Sequence, residues 1–120
     1  MFKQYKYKFY LNANHSILIN GHQGRVHPHT WEIVLNMAQI KEDFKEISLI
    51  EKPIEKILET YQDKYLNDEF PFNKINPTLE NMCEYFKDIF EKELISYDYI
   101  LLSIEMAETP TRAYIITLIN

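Results

Sequence analysis

Three histidines in this chain have the spacing of a metal site. His27 and His29 are separated by a single residue, and side chains two residues apart on a β-strand project from the same face. His15 ends an earlier run in which apolar and polar residues alternate, and it shares the positions of the apolar ones. If the two runs are neighbouring strands, three imidazoles meet on one face. Three neutral imidazoles with a fourth position left open are the donor set of a catalytic Zn²⁺.

The alternative is that these histidines only lie on exposed strands, and a His-x-His pair alone is weak evidence for a metal. All three, however, share the inward face that the alternation predicts. Buried imidazoles need hydrogen-bond partners or a metal to offset their desolvation, so the pattern favours a metal. His22 lies in the loop between the two runs and is not part of the predicted ligand set, which is His15, His27 and His29.

A carboxylate is the second candidate site residue. Glu108 continues the apolar row that runs from Ile100 to Met106, so the alternation places it at the inner edge of a strand. A buried carboxylate needs a cationic or multi-donor partner. A heterocycle with an amidine-like edge, such as a pterin or a guanine, offers two parallel N–H donors that a carboxylate accepts together. The alternative is a glutamate at a strand end that faces solvent.

The histidines require two strands, which the alternation predicts over about residues 3–15 and 25–37, with a loop between them. Residues 41–61 predict a turn followed by a helix, with Pro53 in the first turn of that helix. Thr78 is predicted to cap a second helix, whose apolar stripe is ordinary core packing.

The last third of the chain again predicts strands. One strand carries the row that ends in Glu108, Pro110 and Thr111 make a hairpin turn, and a final strand covers Ala113 to Ile119. The predicted element order is therefore ββααββ, which makes the fold class α+β.

Composition limits the kind of protein. A chain of 120 residues, 46% hydrophobic and 14% aromatic, suits one domain over residues 1–120. A net charge of −5 argues against a general nucleic-acid or anionic-membrane surface. No apolar stretch has the length of a membrane span, and none opens the chain, so we expect a soluble cytoplasmic protein with no membrane or nucleic-acid partner. Cys83, the single cysteine, is predicted to serve packing.

Six short motifs occur in an order that resembles the 6-pyruvoyltetrahydropterin synthase and 6-carboxytetrahydropterin synthase family, which includes enzymes of queuosine biosynthesis. The motifs span nearly the whole chain and are Ala13-Asn14-His15, Arg25 to Thr30, Asp43-Phe44, Tyr65-Leu66-Asn67, Asn76 to Asn81 and Glu108 to Thr111. The resemblance implies the tunnelling fold, in which a four-stranded antiparallel sheet carries two helices on one face. It also implies a homo-oligomer, a trimer or hexamer, in which subunits join by their sheet edges into a barrel.

The resemblance also implies roles for particular residues. His15, His27 and His29 match the zinc ligands of the family, Glu108 matches the glutamate that anchors the pterin ring, and Thr109 follows it as in the family. The implied activity is that of a zinc-dependent lyase, which acts on a pterin substrate similar to dihydroneopterin triphosphate and needs a base to move protons along the substrate side chain.

The chain departs from the family at the proton-transfer residues. Gln23 stands where the family has its catalytic cysteine, and Gln62 and Asp63 stand where it has an Asp-His pair. A glutamine side chain cannot act as a base. One interpretation is an enzyme with other acid-base groups, for which His22 and Asp63 are the candidates. A second is an inactive zinc- and pterin-binding homologue that serves as a carrier or sensor, and a third is an oligomeric scaffold that binds neither.

Overall fold

The computed structural model describes residues 1–118. Six strands and two helices follow one another in the order β1, β2, β3, β4, α1, α2, β5, β6, with a short 3₁₀ turn between the helices. The strands are β1 (Tyr5–His15), β2 (Leu18–Ile19), β3 (His22–Gln23), β4 (His27–Gln39), β5 (Tyr99–Thr109) and β6 (Arg112–Thr117), the helices are α1 (Ser48–Glu59) and α2 (Leu79–Ile95), and the 3₁₀ turn is Leu66–Asp68.

The main sheet confirms the predicted α+β class. It is antiparallel, with four strands in the order β1, β4, β5, β6. Apolar residues of its inner face and of both helices form one core cluster, so the helices cover that face. Alternation explains this packing in β1, where Phe9, Leu11, Ala13 and His15 are buried and the residues between them are not.

Helix α2 begins where the sequence predicted. The Thr78 side chain accepts a hydrogen bond from the Asn81 N–H at 3.1 Å, which satisfies one of the free donors of the first turn. The predicted apolar stripe faces the core, with its most buried members spaced three or four residues apart.

The prediction that Pro53 lies in the first turn of α1 is wrong. The helix begins earlier, at Ser48, and Pro53 lies inside it. Ile50 explains the difference, because it forms a buried row with Ile54 and Leu58 at a spacing of four residues. Extending the helix by a turn buries Ile50, at the loss of one backbone hydrogen bond at the proline.

The alternation predicted for β5 holds only in part. Ile104 and Met106 are buried as expected, but Ile100 is 44% exposed, and its neighbour Leu101 is buried instead. A β-bulge shifts the pairing of β4 with β5 between Asn36 and Met37. One extra residue in a strand reverses the faces of those beyond it, which explains the change. Ile119, the predicted end of the last strand, lies outside the described residues.

The predicted loop between the first two long strands contains a small hairpin, β2 and β3. Asn20 and Gly21 form its turn with φ of 50° and 79°. Two successive positive φ values are typical of the tight turn that matches the twist of a hairpin, and Asn-Gly is its preferred sequence. Within residues 1–118, no helix is long and apolar enough to cross a membrane.

Candidate metal centre

The pairing of β1 with β4 brings the three predicted histidines together. His15 lies directly opposite His27, and His29 pairs with Ala13, the next inward residue of β1. Opposite and diagonal side chains on one face are within reach of each other. One ligand atom from each imidazole lies within 4.8 Å of the others, so the three can hold one metal ion.

Backbone carbonyls orient two of the rings. Nδ1 of His15 lies 2.8 Å from the Pro77 carbonyl oxygen, and Nδ1 of His27 lies 3.0 Å from that of Arg25. A carbonyl oxygen only accepts, so both Nδ1 atoms carry the proton and donate. The Nε2 atoms of these two rings therefore face each other, 2.9 Å apart. Either a proton on one of the two nitrogens or a metal ion between them holds such a pair together.

Burial keeps two of the imidazoles in the form that binds metal. Desolvation lowers the pKa of both His15 and His29, and the charge of His27 lowers both further. Arg112 adds to the shift at His29, whereas Glu108 opposes it at both rings. A lowered pKa means that both rings are neutral near pH 7. Neutral imidazole is the metal-binding species.

Trp31 forms the floor of the metal centre. Its ring centroid is 4.9 Å from that of His15 and 5.2 Å from that of His29. The indole is fully buried, and its N–H has no hydrogen-bond partner among residues 1–118. His29 has no ring hydrogen bond in the described part of the chain, and its ring packs against those of His15, His27 and Trp31.

Glu108 lies beside the histidines. One of its carboxylate oxygens is 3.7 Å from Nε2 of His15 and 3.8 Å from Nε2 of His29. Glu108 is the residue at which the pairing of β5 with β6 is irregular, between Ala107 and Thr109. Such a bulge re-aims a side chain, and bulges are common next to active sites. The Thr109 hydroxyl lies 3.2 Å from that of Thr111.

A depression of about 640 Å³ opens next to Glu108. Its wall includes Thr78 and Glu80 from the start of α2 and Thr111 and Arg112 from the β5–β6 hairpin. The depression therefore lies next to the metal centre at Glu108. Its wall carries hydroxyl groups and both acidic and basic side chains. A small polar molecule fits such a place.

Gln23 and His22 differ in their surroundings. The Gln23 amide nitrogen donates to the Ser16 hydroxyl, which lies 2.8 Å from the Tyr65 hydroxyl. Ser16 is fully buried and follows His15, so Gln23 belongs to a polar network beside the metal centre. His22 precedes Gln23 in β3 and projects from the other face, and both residues are exposed. No described contact joins His22 to the three metal-site histidines, and its role stays a prediction.

Gln62 and Asp63 lie at the edge of the sheet. The Gln62 amide accepts from the Asn12 N–H at 2.9 Å and donates to the Tyr10 carbonyl at 2.8 Å, as a neighbouring strand would. Asp63 follows in a left-handed conformation, φ 60°. It lines a depression of about 470 Å³ that His29 also lines. The depression is also lined by Asn12, Asn14 and Thr30, which alternate with the metal-site residues and lie on the other face of the sheet. No described contact places the Asp63 carboxylate beside the three imidazoles.

Several contributors to the site gave no readable signal in the sequence. The carbonyls of Pro77 and Arg25 act through the backbone, which residue type does not reveal. Trp31 shares the inward row with the histidines, but no sequence pattern indicates that it touches two of them. Arg112 follows the Glu108 motif directly, and a cation at that place was a signal that could have been used.

Comparison with known proteins agrees with the architecture. A family model described as 6-pyruvoyl tetrahydropterin synthase matches residues 4–118. No curated protein matches the chain. The solved 6-pyruvoyl tetrahydropterin synthase of Caenorhabditis elegans is 15% identical, with a TM-score of 0.73, and the match covers 96% of this chain and 94% of that one.

Two Plasmodium structures are similar in the same way. The Plasmodium falciparum 6-pyruvoyl tetrahydropterin synthase is 14% identical, with a TM-score of 0.67 and coverage of 94% and 96%. The Plasmodium vivax enzyme, in a form with alanine in place of a catalytic glutamate, is 12% identical, with a TM-score of 0.65 and coverage of 95% and 97%. These likenesses establish the tunnelling fold. Because the family match extends over nearly the whole length, this chain belongs to the 6-pyruvoyl tetrahydropterin synthase family.

Proposed function

We propose that this protein is a zinc-dependent lyase that processes a pterin similar to dihydroneopterin triphosphate. The observation that carries the proposal is the convergence of His15, His27 and His29, whose ligand atoms lie within 4.8 Å of one another. Backbone carbonyls accept from Nδ1 of His15 and His27, which leaves Nε2 of both rings to face the shared position. Three imidazoles with an open position suit a catalytic zinc.

The chain's own residues would bind and orient the substrate. Zinc, when bound, supplies a Lewis acid for the oxygen atoms of the substrate side chain. Glu108 accepts the paired N–H donors of the pterin edge, with Thr109 beside it. The depression lined by Thr111 and Arg112 has room for the rest of the molecule, and the arginine suits an anionic group.

Proton transfer would rely on groups other than the usual cysteine and histidine. Asp63 is proposed from its sequence position, where the family has its catalytic histidine, and His22 is proposed from its position beside Gln23. The Plasmodium vivax relative has a glutamate as a catalytic residue, so a carboxylate can act in this fold. If Asp63→Asn and His22→Ala both left turnover unchanged, neither residue would be the proton-transfer group.

The alternative is a protein that binds zinc and a pterin without turnover, as a carrier or sensor. The surroundings of two glutamines favour it. Gln23 and Gln62 stand at the usual catalytic positions, and both amides are engaged in hydrogen bonds with neighbouring groups. A chain that has replaced bases by hydrogen-bonded amides can keep its binding groups while it loses catalysis.

One experiment separates these two functions. The zinc-loaded protein is incubated with 7,8-dihydroneopterin triphosphate, and products are identified by mass spectrometry beside a His27→Ala variant. We expect a new pterin product that is absent with the variant, and its mass would identify the bond that breaks. Unchanged substrate together with saturable pterin binding would instead establish the binding protein.

Assembly into a trimer or hexamer in the cytoplasm is proposed on the same family membership. The sheet has two edges, and residues 62–65 cover the end of β1 nearest the site by bonds such as Asn14 N–H to the Lys64 carbonyl at 2.9 Å. The outer edge of β6 pairs with no strand in the described part of the chain. An uncovered edge is available for pairing with a second subunit. Light scattering after gel filtration would give the number of subunits.

A further inference from the structure

The Glu108 carboxylate occupies an unusual position for a group that only binds substrate. Its oxygen lies 3.7 Å and 3.8 Å from the Nε2 atoms of His15 and His29. Both separations are too long for hydrogen bonds. The side chain is only 20% exposed, and no hydrogen bond reaches its carboxylate from the described residues. A largely covered carboxylate without donors is costly unless a cation lies close to it.

These separations fit a shared metal ion. With metal–ligand bonds of 2.0–2.1 Å, two ligands of a tetrahedral zinc lie about 3.3 Å apart. The Nε2 atoms of His15 and His27 are closer than this, at 2.9 Å, and the Glu108 oxygen is somewhat farther from its two neighbours. The group whose ligand atoms lie within 4.8 Å of one another consists of the three histidines, and Glu108 lies beside it, next to two of them. The carboxylate must move toward His27 to share one ion with all three imidazoles.

The position of Glu108 in the chain permits such movement. It lies at the irregularity between the pairs Ala107–Ala113 and Thr109–Arg112, where the backbone is free of the regular ladder. The carboxylate also borders the depression proposed for the pterin. One side chain is therefore in reach of both the metal centre and the substrate.

We propose that Glu108 is the fourth metal ligand when no substrate is bound, and that a pterin draws this carboxylate away and opens the coordination position. The inference rests on the proposed function of the site. In the exchange the metal–carboxylate bond breaks, and the same oxygens accept the two N–H donors of the pterin edge. A molecule without such an edge leaves Glu108 on the metal, so the fourth coordination position stays occupied. Recognition of the ring would thus be coupled to exposure of the metal.

Metal binding without turnover tests the inference. Zn²⁺ affinity is measured by competition with a chromogenic chelator, and the visible spectrum of Co²⁺ reports the ligand set, for the wild type, Glu108→Ala and Glu108→Gln. Glu80→Gln is the matched control, because Glu80 lines the same depression but lies in no ion pair with the histidines among residues 1–118. Thermal melts of the metal-free proteins establish that each variant is folded.

We expect Glu108→Ala to weaken Zn²⁺ binding at least about 10-fold. Loss of a residue that only supports a metal ligand already costs about that much, and Glu108 is proposed as a ligand itself. Its Co²⁺ spectrum should differ from that of the wild type, and Glu80→Gln should match the wild type in both. Neopterin, added to the wild type, should shift the Co²⁺ spectrum toward that of Glu108→Ala.

Equal affinities and spectra for the wild type and Glu108→Ala would overturn the assignment of Glu108 and leave the zinc centre intact. A wild-type spectrum that saturating neopterin leaves unchanged would overturn the displacement. A wild-type protein that takes up neither metal would refute the proposed function together with this inference.

Discussion

Two asparagines make the same pair of hydrogen bonds in different surroundings, and they allow a stability prediction with an internal control. The Asn67 side chain accepts from the Ser16 N–H and donates to the Ser16 carbonyl, both at 2.9 Å. The Asn76 side chain holds Leu18 in the same way, also at 2.9 Å. Ser16 is fully buried, whereas Leu18 is 49% exposed. Replacing Asn67 or Asn76 by alanine removes the same two hydrogen bonds, but water can take the place of the lost amide only at Leu18.

The expected magnitudes follow from this difference. Each side-chain hydrogen bond contributes about 1 kcal/mol net, and each buried group left without a partner costs about 1–3 kcal/mol. Asn67→Ala leaves the buried N–H and carbonyl of Ser16 without hydrogen-bond partners, so we expect the free energy of unfolding to fall by about 2–4 kcal/mol. Asn76→Ala leaves the Leu18 groups open to water, and we expect a fall of about 1 kcal/mol.

Urea unfolding followed by circular dichroism measures both changes. A chelator must be present, because a bound metal would add its own stabilisation to the folded state. The slope of the free energy against urea should stay constant, since both variants expose the same surface on unfolding. Equal losses for Asn67→Ala and Asn76→Ala would refute the reasoning from burial, as would a loss at Asn67 well below 1 kcal/mol.

Two further predictions concern the histidines. Acidification below about pH 6.5 should destabilise the metal-free protein, because burial lowers the pKa of His15 and His29 in the fold, while the unfolded chain takes up protons at their ordinary pKa of 6.5. Urea unfolding at several pH values measures how the free energy of unfolding depends on pH. A variant with asparagine at both positions should lose the part of this pH dependence that the two histidines cause, and an equal pH dependence in the wild type and the variant would contradict the prediction. Trp31→Phe should weaken Zn²⁺ affinity by about 10-fold, because the indole packs against the rings of both His15 and His29. Phe90→Leu is the control, a core substitution in α2 that should leave the affinity as in the wild type, and an equal loss in both variants would show a general effect of destabilisation.

Local rules predicted the elements that hold the metal centre. Alternation alone placed His15, His27 and His29 on one face, because the period of a strand is fixed by its backbone and needs no tertiary information. The cap at Thr78 was equally readable, since it depends on residues within one turn of α2. The turn at Pro110 and Thr111 was predicted for the same reason.

Other features depend on contacts between distant segments. The bulge that exposes Ile100 arises from the pairing of β5 with β4, and the residue pattern within β5 does not indicate it. The ring partners of His15 and His27 are backbone carbonyls, one of them 62 residues away along the chain. The Asn20-Gly21 hairpin was different, because its sequence signal was present in what was predicted to be a plain loop.

The most direct test of the central claim is the metal content of the purified protein and its single histidine variants by mass spectrometry of the elements. We expect one zinc for each wild-type chain after loading and dialysis, and little in His15→Ala, His27→Ala or His29→Ala. His22→Ala should keep its zinc, because no described contact links His22 to the metal centre. A wild-type chain without zinc, or zinc retained in full by all three metal-site variants, would contradict the claim that these imidazoles hold a metal.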